Sequence, residues 1–227
     1  MNELEKYIFD IWNEYLTETD FETDMSSLTY LCDCLTRSYY RVKLPEVHKQ
    51  YRNVYYLAIG RLLHQWLCSR LATKLGGQTE VLLSYETDHF VIKGRADIMT
   101  NDYIVELKTS GRLPEKPYES HVEQLNAYLA MSDKPYGYIV YVSRIDGSVK
   151  VFEHVIDNYM WNRTLEKAKV FRKACELNEP PEPYKSKQWL MKACKYCEYK
   201  SICVYKVIDE CKLSDFETEV MNNGNSF

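Results

Sequence analysis

Two short apolar runs carry the residues best suited to chemistry. Gly94-Arg95-Ala96-Asp97-Ile98-Met99-Thr100 and Tyr103-Ile104-Val105-Glu106-Leu107-Lys108 flank the dipeptide Asn101-Asp102. Asn and Asp tolerate positive φ, so the pair predicts a two-residue hairpin loop. Pairing Thr100 with Tyr103 and counting outward sets Asp97 opposite Glu106. Their Cβ atoms would then stand about 4.5–5.5 Å apart on one face. Lys108, two residues past Glu106, projects from that same face. Facing carboxylates repel, and a divalent cation resolves the repulsion. Hard oxygen ligands suit Mg²⁺ or Mn²⁺. Such an ion lowers the pKa of the water it holds and neutralises charge on a scissile phosphate. Lys108 is placed to orient or deprotonate the attacking water, or to stabilise the phosphorane. Acting as a base would need its pKa depressed by the neighbouring cation. Taken alone, the spacing also describes a surface hairpin with a Glu–Lys–Asp cluster.

Further residues extend the pattern. Gly60 and His64 are one turn apart on a long helical stretch. A mid-helix glycine costs about 1 kcal/mol, which points to close packing there. His64 then offers an imidazole as a further ligand, or is a satisfied core histidine. Gln124 and Tyr128 place an amide and a phenol one turn apart, with His121 three residues before Gln124. That pair suits a phosphate or a bound water; it also suits a solvent-facing helix rim.

The chain has eight cysteines. Cys194, Cys197 and Cys203 form a compact triplet, and one more thiolate completes four ligands for zinc or an iron–sulfur cluster. Cys32 and Cys34 are the N-terminal candidates. Zinc ribbons usually use two paired knuckles, which fits less well, and no histidine sits near the triplet. Cys68, Cys175 and Cys211 read as packing or surface cysteines, with Cys68 one turn after His64 and placed to line the site without ligating.

Elements must position these groups. Leu4, Ile8, Ile11, Trp12 and Tyr15 recur at helical spacing. Residues 21–50 are less regular. A helix is expected from Val54 to Leu75, with Ile59, Leu62, Leu63, Trp66, Leu67 and Leu71 as its apolar stripe, stopped by Gly76-Gly77. Strands are expected at Glu80–Tyr85, Phe90–Thr100, Tyr103–Thr109, Tyr138–Ser143 and Val149–Val155, the last two joined around Asp146-Gly147. Helices are expected at Tyr118–Met131 and Asn158–Glu176, the latter ending before Pro180-Pro181. The tail from Asn222 to Phe227 reads as disordered.

Composition bounds the rest. A chain of 227 residues, 45% hydrophobic and 27% charged, suits one domain with a small appendage. The net charge of −4 argues against a passive nucleic-acid coat. Two local basic stretches, Arg163 to Lys173 and Lys185 to Lys200, read either as solvated faces or as a phosphate track. The 20 tyrosines read either as half-buried surface aromatics or as stacking platforms for bases. No Walker-type glycine loop is present, so the chain is not its own ATP-driven motor. No secretory h-region opens it and no run approaches the ~18 apolar residues of a membrane span. The expectation is an intracellular, cytoplasmic protein without a membrane partner.

The succession Gly60/His64, Gly94/Asp97, Glu106-Leu107-Lys108 and Gln124/Tyr128 resembles the RecB-like nuclease motifs of the PD-(D/E)xK superfamily. Val-Glu-Leu-Lys-Thr-Ser followed by Gln-Leu-Asn-Ala-Tyr is similar to the family's own wording, and the likeness runs from about residue 28 to residue 203. It implies an α/β fold: a restriction-endonuclease-like core with a mixed central sheet flanked by helices. It also assigns His64, Asp97, Glu106 and the backbone carbonyl of Leu107 to metal, Lys108 to catalysis, and Gln124 and Tyr128 to supporting contacts.

The cysteine layout resembles the CRISPR-associated RecB-like exonucleases, which hold a [4Fe–4S] cluster with one N-terminal and three C-terminal cysteines. By that resemblance Cys34 joins Cys194, Cys197 and Cys203. The family usually has Cys-Pro-Arg there; this chain has Cys34-Leu35-Thr36-Arg37, and Cys32 stays an alternative. The division implied is residues 1–50 as a helical segment giving one cysteine, 51–178 as the nuclease core, and 179–227 as the cysteine segment and tail. The cluster would staple the ends around the core. The resemblance further implies single-stranded DNA as substrate, 5′→3′ exonuclease action, and trimming of DNA before spacer integration beside the Cas integrase. A virus-borne or housekeeping relative would read the same. Members of that family form ring-shaped oligomers, although no stripe here predicts one.

Overall fold

A computed structural model describes residues 3–18, 25–45 and 54–205. Cys211 and the Asn222–Phe227 tail lie outside these. Helices α1 (Glu3–Glu18), α2 (Leu28–Cys32), α3 (Leu35–Lys43) and α4 (Val54–Leu75) precede strands β1 (Gln78–Glu86), β2 (Val91–Met99) and β3 (Tyr103–Ser110). Helix α5 (Glu119–Ser132) leads to β4 (Tyr136–Ser143) and β5 (Val149–Val155), then α6 (Asn158–Leu177), α7 (Lys187–Ala193) and a 3-10 turn over Cys194–Tyr196.

The strands form one mixed five-stranded sheet in chain order. β3 and β4 are parallel and the other neighbours antiparallel. A parallel pair needs a crossover, and α5 supplies it. Val105 and Leu107 pack with Cys68 and Ala72 of α4. Ile104 packs in the larger cluster with Leu125 and Leu129 of α5. Side chains alternate along a strand, so the two helices cover opposite faces. The sheet with α4 on one side and α5 on the other is the mixed α/β arrangement the sequence implied.

The irregular stretch resolves into α2 and α3 within 25–45, two helices of 5 and 9 residues whose N-caps make no side-chain bond. Part of the expected stripe on α4 faces the sheet: Leu67 and Leu71 pack beside the buried Cys68 and Ala72, whereas Leu62 and Trp66 are 42% and 59% exposed. The small residues Ala58, Cys68 and Ala72 let the helix backbone approach the sheet. Along α1, Leu4, Ile8 and Ile11 are likewise exposed, and Trp12 and Tyr15 pack against Ala58. Among the described residues no helix is long and apolar enough to cross a membrane.

Candidate active site and cysteine cavity

The β2–β3 register is the expected one: Met99 pairs with Ile104 and Ile98 with Val105. The ladder stops one step short of Asp97 and Glu106. On the other side, β1 and β2 pair at Thr79–Ile98 and Val81–Ala96 but skip Glu80–Asp97. Glu80 sits at φ 56°, a left-handed conformation unusual in a strand. Ala96 belongs to the core on the α5 side and Ile98 to the core on the α4 side. Two residues apart on a regular strand would share a face, so β2 turns over at Asp97. This break frees the Asp97 carboxylate from ladder geometry. Its Oδ2 accepts the Leu107 N–H at 2.7 Å and lies 3.0 Å from His64 Nε2.

Glu106 is buried at 1% side-chain exposure, with Oε1 2.6 Å from Lys108 Nζ. Its Oε2 is buried with no hydrogen-bond partner. Burial first, then the Asp97 charge, pushes the Glu106 carboxyl up to about 7 against the opposing pull of Lys108. Burial works against the Lys108 ammonium, but Glu106 and Asp97 outweigh it and raise its pKa. Likewise burial opposes the His64 imidazolium, and Asp97 outweighs it to raise that pKa. With these partners alone, Lys108 is a cation and a hydrogen-bond donor.

Lys108 also donates to Gln124 Oε1 at 3.0 Å, and Gln124 Nε2 donates to the Tyr128 hydroxyl at 2.9 Å. The Gln–Tyr pair therefore faces the carboxylates and is not a solvent rim. Gly94 makes room for it: a Cβ there would lie 2.5 Å from Tyr128 Cε1. Gly60 has the same role under α4, where a Cβ would meet Thr109 Oγ1 at 2.9 Å and Arg144 Nη1 at 3.3 Å. His121 has Nδ1 2.8 Å from the Tyr141 hydroxyl, and burial first, then the Lys108 charge, pushes its pKa down to about 3.

Among the described residues, ligand-type atoms of His64, Cys68 and Asp97 fall within 4.8 Å of one another. Glu106 is outside that group. Cys68, expected only to line the site, has Sγ 3.7 Å from His64 Nε2. The donor set fits a cation: a buried carboxylate with an orphaned oxygen, a second carboxylate near it, and an imidazole against the second.

Cys34, Cys194, Cys197 and Cys203 line one cavity with Arg37 and Tyr199. Cys32 points elsewhere, into the core near Glu123, and burial pushes its thiol up to about 12. Thiolates on one tetrahedral zinc, each about 2.3 Å from it, stand about 3.8 Å apart. Among the described residues, no three of these thiols come within 4.8 Å of one another. The surrounding chain already joins the ends. Arg37 donates to Glu198 at 2.7 Å and Arg41 to the other oxygen of the same carboxylate at 3.2 Å. Tyr40 stacks on Tyr199 with centroids 5.6 Å apart, and Thr36 donates to the Pro181 carbonyl at 2.6 Å.

Four residues of the basic stretches are paired within the protein. Lys167 and Lys185 are both buried on Glu123, at 2.7 and 2.6 Å. Lys169 and Arg172 pair with Glu166 and Glu176 on the exposed face of α6. This three-residue buried network was not legible in the sequence, because its members lie on three distant segments.

No protein-family model matches the chain, and no curated protein does. Solved structures do. The crystal structure of SSO0001 superposes with a TM-score of 0.66 at 24% identity, over 91% of this chain and 99% of that one. An alkaline exonuclease from Laribacter hongkongensis gives 0.49 at 14% identity, over 67% and 88%. A phage-related exonuclease from Haemophilus somnus 129PT gives 0.49 at 12% identity, over 63% and 80%. At such identities the likeness to SSO0001 is one of fold.

Proposed function

We propose that the chain is a metal-dependent deoxyribonuclease of the PD-(D/E)xK class, RecB-like, whose two ends are held by a [4Fe–4S] cluster. The observation that carries the reading is Glu106. A carboxylate buried beside a second carboxylate, with one oxygen lacking any partner, is costly unless a cation completes it.

Asp97, Glu106, His64 and the Leu107 carbonyl would hold Mg²⁺ or Mn²⁺. That ion supplies charge neutralisation at the scissile phosphate and a water of lowered pKa. Lys108 orients the attacking water and stabilises charge on the phosphoryl oxygens as a cation. Gln124 fixes the Lys108 ammonium, and Tyr128 fixes Gln124. Cys34, Cys194, Cys197 and Cys203 would ligate the cluster, so residues 1–50 and 179–227 clamp a nuclease core at 51–178. Single-strand preference, 5′→3′ polarity, an oligomeric ring and DNA trimming beside the Cas integrase follow from the resemblance of the motifs.

The test is cleavage of labelled single- and double-stranded DNA with Mn²⁺, Mg²⁺ or EDTA, using anaerobically purified protein and Lys108→Ala. Metal-dependent cleavage falling by about 10²–10⁴-fold in the variant supports the reading. A folded, iron-loaded protein that binds DNA and leaves it intact would support instead an assembly role on the same fold.

A further inference from the structure

Arg144, just past the end of β4, makes contacts the nuclease reading does not use. Its N–H donates to the Ser110 carbonyl at 2.8 Å, tying it to the end of β3 two residues beyond Lys108. Nη1 donates to the Tyr56 carbonyl, and the guanidinium lies 5.9 Å from the centre of the Tyr56 ring. Nε is buried and has no acceptor. The group is thus held in place through Nη1, while Nη2 makes no hydrogen bond among the described residues.

Its position matters. Tyr56, Gly60 and His64 are spaced at one turn along one ridge of α4. Arg144 lies over Gly60, close enough that any Cβ there would meet it at 3.3 Å. His64 is one turn further, about 6 Å along the axis at about 1.5 Å per residue. On the other side stands Gly111, whose missing side chain leaves the approach open: a Cβ there would meet only Arg144 Nη2, at 3.8 Å. An immobilised, fork-shaped cation whose Nη2 faces that open approach suits a phosphate.

We propose that Arg144 binds a backbone phosphate of the substrate strand next to the one being cleaved, setting the strand along α4 between itself and His64. The proposal rests on the nuclease reading for its substrate, and its test is separable from that reading.

Binding of single-stranded DNA is followed by anisotropy with Ca²⁺ in place of Mn²⁺, across a salt series. Each phosphate contact on a single strand contributes about 0.7 to the slope of log affinity against log salt. Arg144→Gln should lower the slope by about that amount and weaken binding roughly 10- to 100-fold. Arg144→Lys should keep the slope and lose part of the affinity, because the charge stays and the fork goes. Gly111→Asp leaves Arg144 and its Tyr56 contact in place but sets a carboxylate against the guanidinium. It should reproduce the Arg144→Gln slope. With Mn²⁺, both should raise KM more than they lower kcat.

Unchanged slopes in Arg144→Gln and Gly111→Asp would overturn the proposal, as would a slope lost in Arg144→Gln alone, which would mark Arg144 as a structural tie. A wild-type protein that binds strands without cutting them would sink the nuclease reading and leave the slope comparison to decide this one.

Discussion

Glu106 shares one oxygen with Lys108 at 2.6 Å and keeps the other buried without a partner. The pair looks like a salt bridge, yet it satisfies half of the carboxylate.

Replacing Glu106 by Gln should therefore separate stability from activity. The neutral amide removes a buried charge facing Asp97 but also the nearest counter-charge of Lys108, which keeps Asp97 and Gln124, so the metal-free variant should melt close to the wild type. Each kcal/mol is worth about 2–4 °C in a chain of this size. Mn²⁺ should raise the wild-type Tm, by up to about 2.7 kcal/mol of linkage at 100 times Kd, and leave Glu106→Gln unmoved. Cleavage should be lost. Calorimetry with and without Mn²⁺ checks this; a variant that still gains stability from Mn²⁺ would remove Glu106 from the metal site.

Gly94→Ala should act at a distance through Tyr128. The new Cβ falls 2.5 Å from the ring, which is itself buried. Overpacking of this kind costs about 1–3 kcal/mol. It should also displace the Tyr128 hydroxyl from Gln124 and lower kcat. Adding Tyr128→Leu should recover most of the stability and none of the activity, measured by denaturant melts and cleavage rates.

The cysteines make a discriminating pair. Cys34 lines the cavity with the C-terminal three, whereas Cys32 is 4% exposed within the core. Cys34→Ala should lose iron and sulfide on anaerobic purification. Cys32→Ala should retain both, with only a packing cost. The reverse pattern in iron and sulfide content would reassign the ligand.

Glu123 holds Lys167 and Lys185, joining α5 to α6 and to the segment leading into α7. Glu123→Gln would leave two buried ammonium groups without a counter-charge. It should cost about 3–5 kcal/mol in a urea melt. A loss below about 1 kcal/mol would show that the lysines relax to solvent.

The sequence was most informative where chemistry is local. The Asn101-Asp102 loop set the register that pairs Ile98 with Val105. His64, Asp97, Glu106, Lys108, Gln124 and Tyr128 do converge. What it could not convey is the break in β2: alternation predicts a shared face for Asp97 and Glu106, while the ladder ends first and Asp97 turns to His64. Nothing in residues 78–86 announces the left-handed Glu80 opposite that break. On α4 the apolar stripe is only partly the buried face, because side-chain size as well as apolarity decides which residues meet a close sheet. Arg144 was missed because its contacts, to Tyr56 and Ser110, are distant in sequence. Cys32 and Cys34 could not be separated by spacing, since two residues apart around a helix break they take unrelated directions.

The most direct measurement is Mn²⁺-dependent cleavage of labelled single-stranded DNA by the wild type and Asp97→Ala, prepared anaerobically side by side. The account predicts cutting by the wild type, abolished by EDTA and absent from a folded, iron-loaded Asp97→Ala. Undiminished, metal-dependent cleavage by Asp97→Ala would contradict it.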